Sequence, residues 1–174
     1  MKFDPQKHHR RSIRLKGYDY SQAGAYFVTI VAYQRECLFG EVVDGEMVLN
    51  ERGLIVVECW KAIPDHFQNV DLGAFVVMPN HVHGIIFIND VVGARHASPL
   101  PENVIKRGSL GVIVGSFKSA VAKRIGRELN ETGIWQRNYF ERIIRDEREM
   151  ERIHRYIESN PFQWADDTEN PANL

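Results

Sequence analysis

Apolar and polar positions along the chain divide it into short, regular elements. Residues 25–33 are β-branched and aromatic, which predicts a central strand. Residues 38–50 predict a hairpin, because short apolar runs flank Asp44 and Gly45, a strong turn signal. Two further strands are predicted from apolar runs at 70–77 and 81–88.

Helical periodicity appears in three other places. Residues 51–67 repeat apolar positions at helical spacing, although Pro64 should end or kink the helix. Residues 110–129 and 146–159 predict two amphipathic helices. Residues 134–144 predict a loop leading into a short strand. Adjacent strands with few helices indicate an α+β fold, with helices on one or both faces of a mostly antiparallel sheet.

The length of 174 residues predicts one domain, spanning 1–174. Its first 20 residues predict a basic N-terminal arm, and the irregular stretch 89–107 predicts a flexible surface loop. No apolar run reaches the roughly 18 residues needed to span a bilayer, which argues against a membrane partner. The N-terminus has no signal-peptide core, and the two cysteines lack metal-type spacing. We therefore expect a cytoplasmic protein.

The net charge of -1 conceals two basic segments, within residues 1–20 and 102–127. Clustered cations in a nearly neutral protein are typical of a surface that binds a polyanion. An equally simple interpretation is a loose, solvated tail and an ordinary outward helix face. Under the first interpretation, the candidate DNA contacts are Arg10, Arg11, Arg14, Lys16, Lys118, Lys123 and Arg124.

Two histidines, His81 and His83, lie two positions apart in the predicted strand 81–88. Side chains at i and i+2 of a strand point to the same face, so both imidazoles should project together. Such a pair supplies two of the three protein ligands of a typical open metal site. Taken without its surroundings, the pair is also compatible with two ordinary strand histidines.

The last predicted helix carries Tyr156 and Asn160, which at a spacing of four lie within about 40° of each other on a helix. If this face meets the histidine strand, Asn160 becomes a third ligand. Two imidazoles and one amide contain no thiolate, which argues against a structural zinc site and favours a borderline-hard divalent ion. Tyr156 would then be a nucleophile that needs a Lewis acid to polarise its target.

Simpler roles exist for the same residues. Tyr156 would also suit packing at the edge of the core, and Asn160 would suit a helix end before a proline. Tyr139 is a rival nucleophile, but it has no ligand partner at helical spacing. Trp135, Gln136 and Arg137 would suit stacking on or bonding to exposed bases, or a core tryptophan with polar neighbours.

Several stretches together resemble a known family. The segment VMPNHVHGI at 77–85 is followed at a distance by WQRNYFERIIRD at 135–146 and YIESNP at 156–161, and RSIRLKGYDY at 11–20 matches as well. This pattern resembles the single-tyrosine HUH endonuclease superfamily, and within it the REP-associated tyrosine transposases of the IS200-like transposase family. The resemblance covers residues 10–164, nearly the whole chain.

The resemblance implies a fold and a set of roles. The fold would be a four- to five-stranded antiparallel sheet of the ferredoxin or RNA-recognition type, with the tyrosine on a flanking helix. His81 and His83 would hold Mg²⁺ or Mn²⁺, and Asn160 matches the position where insertion-sequence relatives carry a glutamine ligand. Tyr156 matches the nucleophile, and the N-terminal segment would contact DNA beside a hairpin.

The implied activity is a metal-dependent cleavage and rejoining of single-stranded DNA near hairpins, through a 5′-phosphotyrosine. Such an enzyme would work in DNA transposition or as a domesticated transposase, as a monomer or homodimer, and without a nucleotide cofactor. Two alternatives remain at this point. One is a DNA protein that binds hairpins without cutting them, and the other is a metal hydrolase that uses water as its nucleophile.

Overall fold

A computed structural model describes residues 19–90 and 108–173. Its strands are β1 (Gly24–Val31), β2 (Gly40–Val43), β3 (Glu46–Leu49), β4 (Val70–Val77), β5 (His81–Ile88) and β6 (Phe140–Ile144). Its α-helices are α1 (Glu51–Lys61), α2 (Ile63–His66), α3 (Leu110–Leu129) and α4 (Glu147–Ser159). Short 3-10 turns occupy Tyr33–Arg35, Trp164–Asp166 and Pro171–Asn173.

The main sheet has four strands in the order β4-β5-β1-β6, and every neighbouring pair is antiparallel. β2 and β3 form a separate antiparallel hairpin. The predicted α+β class and mostly antiparallel sheet are therefore confirmed. The expected arm and surface loop fall largely on residues 1–18 and 91–107, which lie outside the described ranges. Within those ranges, no helix is both long enough and apolar enough to cross a membrane.

Each face of the sheet is covered by different helices. Side chains alternate between the two faces along a strand, so each strand contributes residues to both cores. One face packs against α1 and α3 in the larger core, which includes Tyr26, Val28, Ile30, Val82 and Ile86 from the sheet and Ile55, Trp60, Ile113 and Phe117 from the helices. The other face packs against α4 through a smaller cluster of Ile85, Ile144, Ile153 and Ile157. The smaller cluster matters for function, because the predicted site residues of β5 share its face.

The helix predicted at 51–67 is divided in two. α1 ends at Lys61 and α2 begins at Ile63, with Pro64 in its first turn. Proline lacks the amide hydrogen that a continuous helix would need and clashes with the preceding turn, so the helix is interrupted here. The break predicted from Pro64 is confirmed.

β5 and α1 approach each other closely at Gly84. A Cβ built on Gly84 would lie 2.3 Å from Cζ2 of the fully buried Trp60, so no side chain fits. We expect Gly84→Ala to lower the free energy of unfolding by about 1–3 kcal/mol through overpacking. Gly115→Ala is the matched control, because nothing lies within 4 Å of its added Cβ and alanine favours a helix. Urea unfolding should show the first variant destabilised and the second equal to or more stable than the parent protein.

Candidate active site

β5 places His81 and His83 side by side on the face of the sheet that α4 covers. Both are buried, with His81 at 0% and His83 at 3% exposure, and their ring centroids are 4.4 Å apart. The prediction that the two imidazoles project together is confirmed. Their burial distinguishes them from ordinary surface histidines, because a buried polar ring needs partners for its nitrogens.

The orientation of His81 is set by Asn80, the residue before it. The Asn80 amide nitrogen donates to the carbonyls of Arg35 (3.0 Å) and Glu169 (2.7 Å), which leaves its oxygen as an acceptor. That oxygen lies 2.8 Å from Nδ1 of His81, so Nδ1 carries the proton. In the neutral ring, Nε2 therefore keeps a free lone pair, and it is buried with no hydrogen-bond partner among the described residues.

His83 connects the sheet to α4. Its Nδ1 lies 2.8 Å from the hydroxyl of Thr29 on β1, and its Nε2 lies 3.2 Å from the phenol oxygen of Tyr156. The Tyr156 ring also meets Phe27 edge-on, with centroids 6.1 Å apart. The structure therefore brings together the predicted nucleophile and one predicted metal ligand, 73 residues apart in the chain.

α4 holds Tyr156 in this position for reasons that are visible in its sequence. The Asp146 carboxylate caps the helix by accepting from the amide of Glu149 at 2.8 Å. Ile153 and Ile157 are buried against the sheet, and Tyr156 lies beside them at the helix edge with 39% of its surface exposed. The phenol thus contacts His83 while its side chain remains accessible to a molecule arriving from solvent.

Asn160 ends α4 and is buried within the same site. Its amide nitrogen donates to Oδ2 of Asp167 at 3.0 Å, while its amide oxygen is buried without a described partner. Asn160 lies near the histidines, because it bonds to Asp167, and a carboxylate oxygen of Asp167 lies within 4.8 Å of a ring nitrogen of each histidine. Whether its oxygen binds a metal stays a prediction.

Asp167 is the site residue that sequence reasoning missed. It follows the 3-10 turn Trp164–Asp166, is buried, and accepts from the amide of Glu169 at 2.6 Å. The possible ligand atoms of His81, His83 and Asp167 all lie within 4.8 Å of one another. No spacing rule points to Asp167, because it lies in an acidic C-terminal stretch without regular periodicity.

Burial controls the protonation of the site. It lowers the pKa of His81 to about 4, although the Asp167 carboxylate and the Asn160 amide act in the opposite direction. Burial and the charge of His81 hold the pKa of His83 well below its usual value. Both imidazoles are consequently neutral at pH 7. Burial, with the nearby Asp167 and Glu169 carboxylates, raises the pKa of Tyr156 to about 12, so its phenol is protonated.

Two of the three predicted DNA contacts on α3, Lys118 and Arg124, have protein partners. The Lys118 ammonium donates to the carbonyls of residues 136–138, and burial lowers its pKa. Arg124 forms ion pairs with Glu58 and Glu128. Lys123 is exposed. Since Lys118 and Arg124 have structural roles, their contact with DNA stays a prediction. Arg10, Arg11, Arg14 and Lys16 lie outside the described residues.

Trp135 packs into the core side of the molecule. Its ring centroid lies 5.0 Å from that of Phe39 and 5.8 Å from that of Phe117. Core packing accounts for Trp135, as the second interpretation of its motif anticipated. Gln136 is half-buried and its backbone N–H donates to the carbonyl of Val31, whereas Arg137 is exposed. Base contact by these three residues stays a prediction.

Comparisons with known proteins place this chain among relatives. No protein-family model matches it. An uncharacterized protein of Haemophilus influenzae is 42% identical over 173 residues, which cover 95% of this chain and 96% of the relative. A second Haemophilus influenzae protein, provisionally named a REP-associated tyrosine transposase, is 24% identical over 155 residues, covering 83% and 74% of the two chains.

One solved structure shares the fold. It is a REP-associated tyrosine transposase bound to a REP hairpin, with a TM-score of 0.59 and 18% sequence identity, and the match covers 89% of this chain and 74% of that one. The antiparallel sheet with flanking helices is therefore the fold of that transposase, as the sequence resemblance implied. The chain belongs to one family with the Haemophilus influenzae protein that is 42% identical to it, and its resemblance to the REP-associated tyrosine transposases is confirmed.

Proposed function

We propose that this protein is a single-tyrosine transesterase that cleaves and rejoins single-stranded DNA beside hairpins, as a transposase or a domesticated transposase. The observation that carries the proposal is the distance of 3.2 Å between the Tyr156 phenol oxygen and Nε2 of His83. His83 and His81 form a buried pair of neutral histidines. The hairpin bound to the transposase of similar fold supports DNA hairpins as the substrate class. We further propose that residues 1–174 act as one domain in the cytoplasm, as a monomer or homodimer.

The donor atoms of the site fit a divalent cation, Mg²⁺ or Mn²⁺. Nε2 of His81 and the amide oxygen of Asn160 are both buried without a described partner, which is costly unless something binds them. His81 and His83 would hold the ion, with Asn160 and the nearby Asp167 as further oxygen ligands. A mixed set of imidazole and oxygen donors is compatible with Mn²⁺ and Mg²⁺. When bound, the ion supplies Lewis-acid polarisation of a phosphoryl oxygen.

The protein's own groups account for the rest of the reaction. The Tyr156 oxygen attacks the phosphorus and loses its proton, and a new phosphorus–oxygen bond forms. The bond between the phosphorus and the 3′ oxygen breaks, and the 3′ oxygen takes a proton. The products are a 5′-phosphotyrosine and a free 3′-hydroxyl. Attack by a 3′-hydroxyl on the phosphotyrosine reverses these steps and rejoins the strand. The number of phosphodiester bonds is conserved, so no nucleotide has to be hydrolysed.

Arginines on α4 supply positive charge beside the nucleophile. Arg148, Arg152 and Arg155 are exposed and lie at i, i+4 and i+7, so they form one stripe along the helix. Tyr156 lies next to this stripe, about 40° from Arg152 around the helix axis. A stripe of arginines is well suited to a phosphate backbone. DNA contact through Arg10, Arg11, Arg14, Lys16, Lys123 and Arg137 remains part of the proposal.

A substitution at Asp167 tests whether the carboxylate belongs to the ion site. We expect Asp167→Asn to lower Mn²⁺ affinity by about 10- to 100-fold, because a charged ligand oxygen is lost while the side-chain shape is kept. Titration followed by electron paramagnetic resonance measures this affinity directly. Asp166→Asn is the matched control, since Asp166 is the neighbouring residue and is exposed. Equal affinity in both variants would remove Asp167 from the ion site.

The activity itself can be tested with the purified protein. It is incubated with Mn²⁺ and with single-stranded oligonucleotides that carry a hairpin and flanking sequence, and a covalent protein–DNA band is sought on denaturing gels. We expect this band with the hairpin substrate and not in the presence of EDTA. Tight hairpin binding without any such band, across substrates with varied flanks, would instead identify a binding protein that does not cut.

A further inference from the structure

A row of paired residues crosses the sheet from the histidine site to an exposed aromatic ring. On this row β5 contributes His83, β1 contributes Thr29, and β6 contributes Phe140, each directly opposite the next. Directly opposite residues of antiparallel strands project from the same face of a sheet. Thr29 bonds to His83 on the α4 face, so Phe140 projects from that face as well.

Phe140 lies at an edge that α4 does not cover. Among the residues that the structure describes, β6 is the outer strand of the sheet and pairs only with β1. Ile144, four residues further along β6, is buried by the smaller core cluster, whereas Phe140 remains 49% exposed. Between them on the same face lies Arg142, whose side chain is 62% exposed and pairs with Glu149. The face thus carries an exposed aromatic ring and an arginine beside the site.

The distance from this ring to the site suits a nucleic-acid strand. Two strand spacings separate the backbones at His83 and Phe140, which is roughly 10 Å. At roughly 3.4 Å per nucleotide in a stacked strand, this corresponds to about three nucleotides. Aromatic side chains on an open sheet face are common platforms for unpaired bases, because every base has a flat apolar face.

We propose that Phe140 stacks on an unpaired base of the DNA strand on which Tyr156 acts, a few nucleotides from the cleaved bond. This inference rests on the proposed function, since it assumes that the DNA strand passes the Tyr156 phenol. Phe140 positions the substrate and takes no part in the chemistry.

The test measures binding apart from cleavage. In a Tyr156→Phe background, fluorescence anisotropy compares a hairpin carrying single-stranded flanks with the same hairpin lacking them. We expect Phe140→Ala to weaken binding of the flanked hairpin by roughly 5- to 150-fold and Phe140→Trp to restore it, because stacking needs only a flat ring. Binding of the hairpin without flanks should not change. Val48→Ala is the control, since Val48 is also exposed (51%) but lies in the separate β2–β3 hairpin of the protein.

Direct evidence of stacking comes from 2-aminopurine placed at each flank position in turn. We expect its fluorescence to be quenched at one position near the cleaved bond, and the quenching to be relieved by Phe140→Ala. Unchanged affinity and unchanged fluorescence in Phe140→Ala would overturn the proposal. A shift from dimer to monomer in that variant, with DNA affinity unaltered, would overturn it too, because Phe140 would then contact a second copy of the chain. Adduct formation by the parent protein tests the proposed function separately.

Discussion

Replacing Tyr156 with phenylalanine is expected to abolish the covalent protein–DNA adduct and to reduce strand cleavage below detection. The substitution removes only the oxygen that lies 3.2 Å from Nε2 of His83. The phenylalanine ring retains its edge-on packing against Phe27, so the helix and the site should keep their shape. Loss of an essential nucleophile commonly reduces a rate by a factor on the order of 10⁶. Denaturing gels measure the adduct, and anisotropy should show hairpin binding preserved.

Tyr139→Phe is the matched control for this experiment. Tyr139 lies in the WQRNYF motif and is the other tyrosine considered for the nucleophile, and its ring packs against the larger core. We expect this variant to form the adduct at the parental level. Cleavage that survives Tyr156→Phe and releases DNA without a covalent intermediate would point to water as the nucleophile and would contradict the proposed transesterase.

Replacing His81 with alanine is expected to remove divalent-ion binding and, with it, adduct formation. His81 is fully buried, and Asn80 orients it so that Nε2 presents a lone pair into the site. Loss of residues that merely support a metal ligand commonly lowers affinity by 10- to 100-fold, so loss of the ligand should cost at least about 100-fold. Calorimetric titration with Mn²⁺ measures the affinity independently of cleavage.

His66→Ala provides the comparison for His81→Ala. His66 is exposed at the end of α2 and has no part in the site, so its loss should leave ion affinity and adduct formation unchanged. Circular dichroism should show that both variants are folded. Parental Mn²⁺ affinity in folded His81→Ala would refute the assignment of the histidine pair to an ion, whatever the outcome at Tyr156.

Much of the fold follows from local patterns. The period of two in 81–88 places His81 and His83 on one face, and the spacing of four places Tyr156 and Asn160 on one side of α4. The turn at Asp44 and Gly45, and the break at Pro64, likewise depend on residues close in sequence. These predictions succeed because strand and helix geometry relates neighbours at fixed spacings, whatever packs against them.

The details of the site depend on contacts between distant segments. The Asn80 amide is held by carbonyls from residues 35 and 169, and Asp167 reaches the histidines from the C-terminal stretch. Lys118 appeared to belong to an outward basic face, yet its ammonium binds carbonyls of the loop at 136–138. An amphipathic pattern shows which way a side chain points and says nothing about which loop returns to meet it.

The sequence by itself determined the helices and strands, the placement of His81 and His83 on the same face of a strand, the place of Tyr156 on a helix and the resemblance to a transposase family. All of these depend on short-range spacing or on motifs. Only the tertiary structure decided that Asp167 joins the site, that Trp135 packs in the core, and that Phe140 lies exposed on the row that leads to His83. Those facts depend on strand order and on how helices cover the sheet, and both arise from packing between remote parts of the chain.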